Sequence, residues 1–367
     1  YARKTLALAD GFVQLARAES GPVRAETFDF ADIVAQAADD LWPQWQAKGL
    51  KLDLGPIQAE PKTLIKIISQ GQKKFVPQRF YEEMRGVADG SGIDYDEIVV
   101  CNFIPELFHC SGFALSGSAT TDGTLYHGRV LDYGIDWRLQ DHAVVTVAEP
   151  DGKNAFVNIS YAGFIGSVTG MNAKHVSLGE MGGRGMGHWA GVPMTFLMRM
   201  ALEEAKDLDE AVAIFRDNKR TCEYYYVIAD GKSGKAVGIE ASWDTFGTVA
   251  MGESHDRLPR GVKDAVLLSA GDRYDELVNR VEASLGRIGV EKALRLMDRP
   301  VAMSSNLHNV LFEPASTRFW VANASKDGAP AATQPYVAYR LSDLLARTAD
   351  SSAPLLDLPG PKAIDPR

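Results

Sequence analysis

Hydrophobic positions change their period several times along the chain. Leu6, Phe12, Val13, Leu15 and Ala16 fall at mixed three-to-four spacing, and the Ser20-Gly21-Pro22 break ends that stretch. Phe30, Ile33, Val34, Ala37, Ala38 and Leu41 then share one helical face, which predicts a second amphipathic helix over 27–47. The spacing over 64–88 predicts helices stopped by Gly90 and Gly92, and 98–103 is an apolar run. Short apolar blocks at 112–115, 125–130, 142–147, 155–159 and 176–178, separated by Gly123, Gly152 and Gly170, predict strands. Helical spacing returns over 194–205 and 208–217, strands over 224–228, 236–240 and 266–268, and helices over 272–285 and 290–298. Strands at 309–312 and 319–322 close the pattern. Strands, then helices, then strands fit an α+β architecture of two packed sheets with helices on their outer faces, and not a βαβ repeat.

Composition narrows the function classes. With 46% hydrophobic and 24% charged residues, the 367-residue chain can bury a sizeable core. A net charge of −9 argues against a nucleic-acid partner or an anionic membrane surface. No run approaches the roughly 18 apolar residues that span a bilayer. Three cysteines, Cys101, Cys110 and Cys222, are too few for a disulfide framework, and no Cys-x-x-Cys or His-Glu-x-x-His stretch supports a zinc site. The Gly182-Gly183-Arg184-Gly185 cluster lacks the strand and helix that would flank a phosphate cradle, so it reads as a pocket-lining loop. The sequence opens at Tyr1, which leaves the compartment open between cytoplasm and export, and it leaves the oligomeric state open too.

The most informative stretch is 110–133, CSGFALSGSATTDGTLYHGRVLDY. A cysteine opens a strand, Thr121-Asp122-Gly123 reverses the chain, and a second strand ends in Gly128-Arg129-Val130-Leu131-Asp132. A hairpin of that length returns Arg129 and Asp132 to the neighbourhood of Cys110. An adjacent cation lowers a thiol's pKa, and a carboxylate can orient an amine, so these three residues suit a cysteine nucleophile. Cys101 and Cys222 read as inert buried thiols. His109, His127 and His308 leave open a Cys–His dyad on an uncut chain. The tyrosine-rich 224–226 reads as a buried strand alternating its faces, and 194–200, with Phe196 and Leu197, suits either an acyl pocket or core.

Several pieces in fixed order carry a family resemblance. They are 85–92 (RGVADGSG), the Cys110 hairpin, Gly170-Met171-Asn172, Glu223-Tyr224-Tyr225-Tyr226 with Asp230, Ser269 with Arg273-Tyr274, and Asn306-Leu307-His308. Over roughly 300 residues the chain resembles the penicillin acyltransferase branch of the N-terminal-nucleophile (Ntn) hydrolases, related to choloylglycine hydrolases and acid ceramidase. The resemblance implies a four-layer αββα sandwich and no metal or cofactor. It implies a zymogen that cuts its own His109–Cys110 bond, and an acyl-cysteine mechanism on a small-molecule N-acyl amide. Arg129 and Asp132 carry over as the residues that tune and orient Cys110, and Arg273 as a pocket arginine. Where the family places oxyanion asparagines, this chain has Glu180 and Ser254; Glu180 and Glu223 stand as further binding candidates. Penicillins, N-acyl amino acids, acyl-ethanolamides and ceramide-like lipids all fit as substrates. A non-catalytic ligand-binding Ntn-like protein is the alternative that the missing asparagines favour.

The implied division is 1–57 helical, 58–109 a pro-segment, 110–350 the catalytic unit and 351–367 a tail. Within the first part, 6–19 resembles the second helix of a sensor histidine kinase dimerisation hairpin and 28–54 the lead into its ATP-binding domain. The phospho-acceptor histidine and nucleotide boxes are missing, so no kinase activity is implied, and the segment reads as a fused fragment or an ordinary helical pro-segment.

Overall fold

A computed structural model describes residues 61–103, 109–135, 138–183 and 188–347. The helices expected within 1–57 and the tail at 351–367 lie outside the described residues. Helices α1 (Pro61–Gln72), α2 (Gln78–Ser91) and α3 (Tyr95–Phe103) come first, followed by strands β1 (His109–Gly117) and β2 (Gly123–Asp132). Next come β3 (Ala143–Ala148), β4 (Phe156–Tyr161), β5 (Thr169–Asn172) and β6 (Val176–Glu180), then α4 (Met194–Glu204) and α5 (Leu208–Asp217). Strands β7 (Tyr224–Asp230), β8 (Lys235–Ala241), β9 (Phe246–Ala250) and β10 (Ala265–Leu268) lead into α6 (Asp272–Ser284) and α7 (Val290–Leu296). The described chain closes with β11 (Asn306–Glu313), β12 (Arg318–Asn323), β13 (Val337–Arg340) and α8 (Leu341–Leu345).

Two antiparallel sheets result: six strands in the order β10-β1-β2-β11-β12-β13, and seven running β3 to β9 in sequence order. Side-chain alternation builds the layers. From the first sheet, Phe113, Leu115 and Val130 pack outward on Leu277, Val278 and Leu294 of α6 and α7. Cys110, Ala114 and Leu131 point the other way, into the core that also holds Val227 and Ala229 of the second sheet. Phe196 and Leu202 of α4 and Phe215 of α5 cover that sheet's outer face, with Phe215 and Tyr226 ring centroids 4.5 Å apart. The fold is the expected αββα sandwich.

The leading helices clasp α4. Phe80 stacks on Phe196 at 5.1 Å, Arg79 bonds Glu203 and Glu204 at 3.0 and 2.9 Å, and Arg199 returns a 2.9 Å bond to Glu83. The helices expected over 64–88 are α1 and α2, with Pro77 immediately before α2. The apolar 98–103 run belongs to helix α3. Strands β5, β9 and β13 come in addition; β9 is partly exposed and its apolar pattern is weak. Gly92 ends α2 in the left-handed region at φ 70°, the role expected of a glycine stop.

Candidate active site

Hairpin register sets the first contacts. Cys110 pairs with Leu131, Gly112 with Arg129 and His109 with Asp132. Arg129 therefore stands diagonally across from Cys110 on the inward face, and its Nη2 donates to Cys110 Sγ at 3.2 Å. Two glycines make room for this. A Cβ on Gly179 would lie 2.8 Å from Arg129 Cγ, and one on Gly112 would lie 2.0 Å from Met181 Cε. The fully buried guanidinium finds a partner on every edge. Its Nε donates to the Glu180 carbonyl at 3.2 Å, Nη2 to Glu180 Oε2 at 3.3 Å, and Nη1 reaches His308 Nε2 at 3.3 Å. Such saturation is what a buried charge requires.

Glu180 is the other half of the buried pair. Its Oε2 lies 3.8 Å from the Cys110 sulfur, and its Oε1 accepts the backbone N–H of Gly182. That glycine N–H is therefore already engaged as a donor. Burial pushes the Glu180 carboxyl up to about 7, against the pull of Arg129 and of the Gly182 N–H. Glu180 was expected as an oxyanion candidate. The structure instead places it as the ion partner of Arg129 beside the thiol.

The thiol corrects a second expectation. Arg129 does pull the Cys110 pKa down, and so does the backbone N–H of Asp132, but burial is the largest influence and drives it well above the ordinary thiol range. A cation at 3.2 Å does not by itself make a thiolate here; a base has to take the proton. His127 is pushed down to about 3, mainly by burial and then by Arg129, and its Nδ1 is engaged by Ser177 Oγ at 2.8 Å. His308 is likewise held well below the usual range, and its contacts are Tyr161, Thr169 and Arg129. Neither histidine bonds the sulfur.

Asp132 does not pair with Arg129. Its Oδ2 accepts from Arg273 Nη1 at 2.8 Å and its Oδ1 from the Met303 backbone N–H at 3.0 Å. Arg273 Nη1 also donates to Ser111 Oγ at 3.3 Å, which in turn shares a 2.7 Å hydrogen bond with Ser269 Oγ. The structure thus separates two ion pairs around Cys110: the fully buried Arg129–Glu180, and Arg273–Asp132, in which the carboxylate is buried and the arginine partly exposed.

A cavity of about 360 Å³ opens onto Cys110. Arg273, Ser269 and Gly182 stand at the thiol end; Met181, Ile239, Val249, Leu258 and Leu268 give apolar walls. A polar cluster lines it as well. Tyr225 Oη donates to Glu223 Oε1 at 2.9 Å and faces Glu240 Oε1 at 3.3 Å, Arg257 bonds Glu223 at 3.1 Å, and His255 meets Glu240 at 3.2 Å. Glu223 is thus in the lining, as a member of that cluster. Ser254 is not: it is exposed, outside the lining, and its neighbour His255 faces the cavity instead. Of the tyrosine strand only Tyr225 reaches the cavity, while Tyr224 and Tyr226 are core, as are Phe196 and Leu197. Tyr225, Glu240, His255 and Arg257 were not read as site residues. They come from three segments of β7 to β10 and only the sheet gathers them. Among the described residues no three His, Cys, Asp or Glu side chains group as a metal site, and no helix is long and apolar enough to cross a membrane.

Two antiparallel sheets stack between helices, and Cys110, near the head of the central strand β1, faces the cavity. Residues 119–248 match the family model of acyl-coenzyme A:6-aminopenicillanic acid acyl-transferase. The chain is 33% identical over 186 residues to protein dcd1A of Dictyostelium discoideum, covering 47% of this chain and 42% of that protein. It is 29% identical over 193 residues to acid ceramidase of Rattus norvegicus, covering 45% and 48%. The chain thus spans less than half of either relative's length. Among solved structures, the Caenorhabditis elegans N-acylethanolamine-hydrolyzing acid amidase ortholog superposes with a TM-score of 0.44 at 16% identity, over 56% of this chain and 93% of that one.

Proposed function

We propose that the protein is a self-processing cysteine amidohydrolase or acyltransferase acting on a small non-peptide N-acyl amide. The observation that carries this reading is a cavity-lining thiol touched by a guanidinium and a carboxylate, yet kept protonated by burial. Such a thiol needs a base within reach. In the uncut chain Glu180, which titrates near neutrality, takes the thiol proton. Sulfur adds to the His109 carbonyl, the His109–Cys110 C–N bond breaks, and the proton passes to the departing nitrogen. Water hydrolyses the resulting thioester, which leaves a carboxylate on His109 and a free amine and thiol on Cys110.

From then on the α-amine, whose ordinary pKa is about 7.7–8.0, serves as the base. Sulfur attacks the substrate amide, the amine product leaves with the proton, and an acyl-cysteine remains for water or a second amine. Arg129 steadies the developing thiolate, and Asp132 is held by Arg273 beside the head of the strand. On this reading 58–109 is the pro-segment and 110–350 the catalytic unit. The relatives named as acid ceramidase and acid amidase, and the acyl-transferase family model, support an amide as the substrate class. Acid quenching during turnover, followed by mass spectrometry, should find the acyl group on the peptide that begins at Cys110. Undiminished turnover by Cys110→Ala would remove this reading.

A further inference from the structure

His308 has no part in the chemistry above, yet it is 1% exposed and lies directly behind the catalytic arginine. Its ring stacks near Tyr161 with centroids 6.0 Å apart. Nδ1 lies 2.9 Å from the Tyr161 hydroxyl, and Nε2 lies 3.0 Å from Thr169 Oγ1 and 3.3 Å from Arg129 Nη1. A guanidinium has donors and no acceptor, so the nitrogen facing it must present a lone pair. That fixes the tautomer: hydrogen on Nδ1, given to Tyr161, and Nε2 accepting from Arg129 and from the Thr169 hydroxyl.

We infer that His308 is a positioning residue for the reaction, its Nε2 lone pair fixing the rotation of the Arg129 guanidinium so that Nη2 stays on the Cys110 sulfur. The inference rests on the reading of Cys110 as nucleophile. Glu180 grips the Nε and Nη2 edge of the fork; His308 is the partner on the remaining nitrogen. Without an acceptor there, Nη1 is a buried donor facing apolar space, and the guanidinium turns toward other acceptors. A protonated ring would be equally disruptive, because it would set N–H against N–H. Burial and the Arg129 charge both hold His308 neutral, which keeps the acceptor available.

The first test uses the unsubstituted protein. Nitrogen-15 NMR of the histidine rings, with the His308 signal assigned by its loss in His308→Gln, should show a neutral Nδ1–H tautomer at pH 7. An Nε2–H tautomer or a protonated ring overturns the inference, whether or not Cys110 is the nucleophile. The second test compares His308→Gln, whose amide oxygen can replace Nε2, with His308→Leu, which has no acceptor. His308→Leu should lower kcat about a hundredfold with KM little changed, the scale of a small misplacement at a reacting centre. It should also move the pH profile of Cys110 alkylation upward. His308→Gln should recover kcat to within about tenfold of the starting protein. Equal losses in the two variants, or an unmoved alkylation profile in His308→Leu, overturn the inference. If His308→Leu does not fold, Tyr161→Phe replaces it: loss of the Nδ1–H acceptor should move the alkylation profile the same way, and an unmoved profile counts against the inference. Turnover by Cys110→Ala would instead defeat the nucleophile reading and leave the tautomer result standing.

Discussion

Nη2 of Arg129 touches Cys110 Sγ at 3.2 Å and Glu180 Oε2 at 3.3 Å, so one nitrogen serves both the thiol and the carboxylate beside it. The arrangement couples the protonation of the two groups. Whichever of them loses its proton gains the same cation, and burial penalises having both ionised at once.

Replacing Arg129 by lysine keeps the charge and loses the planar fork. We expect Arg129→Lys to lower kcat/KM by about a hundredfold, the scale of one lost preorganised donor. The alkylation rate of Cys110 at fixed pH should fall with it, and unchanged alkylation would separate the arginine from the thiol.

Glu180 makes a signed prediction about pH. Its folded pKa, about 7, lies above the ordinary carboxylate value, so the folded state binds this proton more tightly than the unfolded chain. Its contribution to stability is fully present below the unfolded value and is lost as pH rises through about 7. Urea midpoints between pH 4.5 and pH 8 should therefore decline less steeply in Glu180→Gln than in the starting protein. The same variant should cut itself more slowly, read as uncut chain on denaturing gels.

Arg273 holds a carboxylate whose side chain is fully buried. Arg273→Ala takes the arginine away from Asp132, and removing one member of a buried pair costs about 3–5 kcal/mol. Denaturant unfolding checks the size, and a loss below about 1 kcal/mol would mean that water replaces the arginine there.

The leading helices should stay bound after scission. Phe80 is fully buried on Phe196, and the Arg79 and Arg199 ion pairs bind α2 to α4. Size-exclusion chromatography should give one peak that resolves into two fragments only under denaturing conditions. Phe80→Ala, at a cost of about 3–5 kcal/mol, should loosen that association.

Local geometry was legible in the sequence, and long-range geometry was not. The Cys110–Arg129 contact lies within one hairpin, whose turn and strand lengths set the register. Asp132 was placed near Cys110 for the same reason, but its true partner, Arg273, comes from a helix 141 residues on. Glu180 stood only as an oxyanion or binding candidate because its strand looks like any buried strand; the packing of one sheet on the other brings it to the thiol. Ser254 failed because counting along a loop does not say which of two adjacent side chains faces inward, and His255 does. The thiol pKa failed for a related reason: charge is visible in a sequence, whereas depth of burial is not.

The most direct measurement is N-terminal sequencing of the purified protein's fragments alongside an assay of amide hydrolysis. The account predicts that active material contains a chain beginning Cys-Ser-Gly-Phe and that Cys110→Ala yields neither that chain nor turnover. An uncut chain that hydrolyses amides at full rate would contradict it.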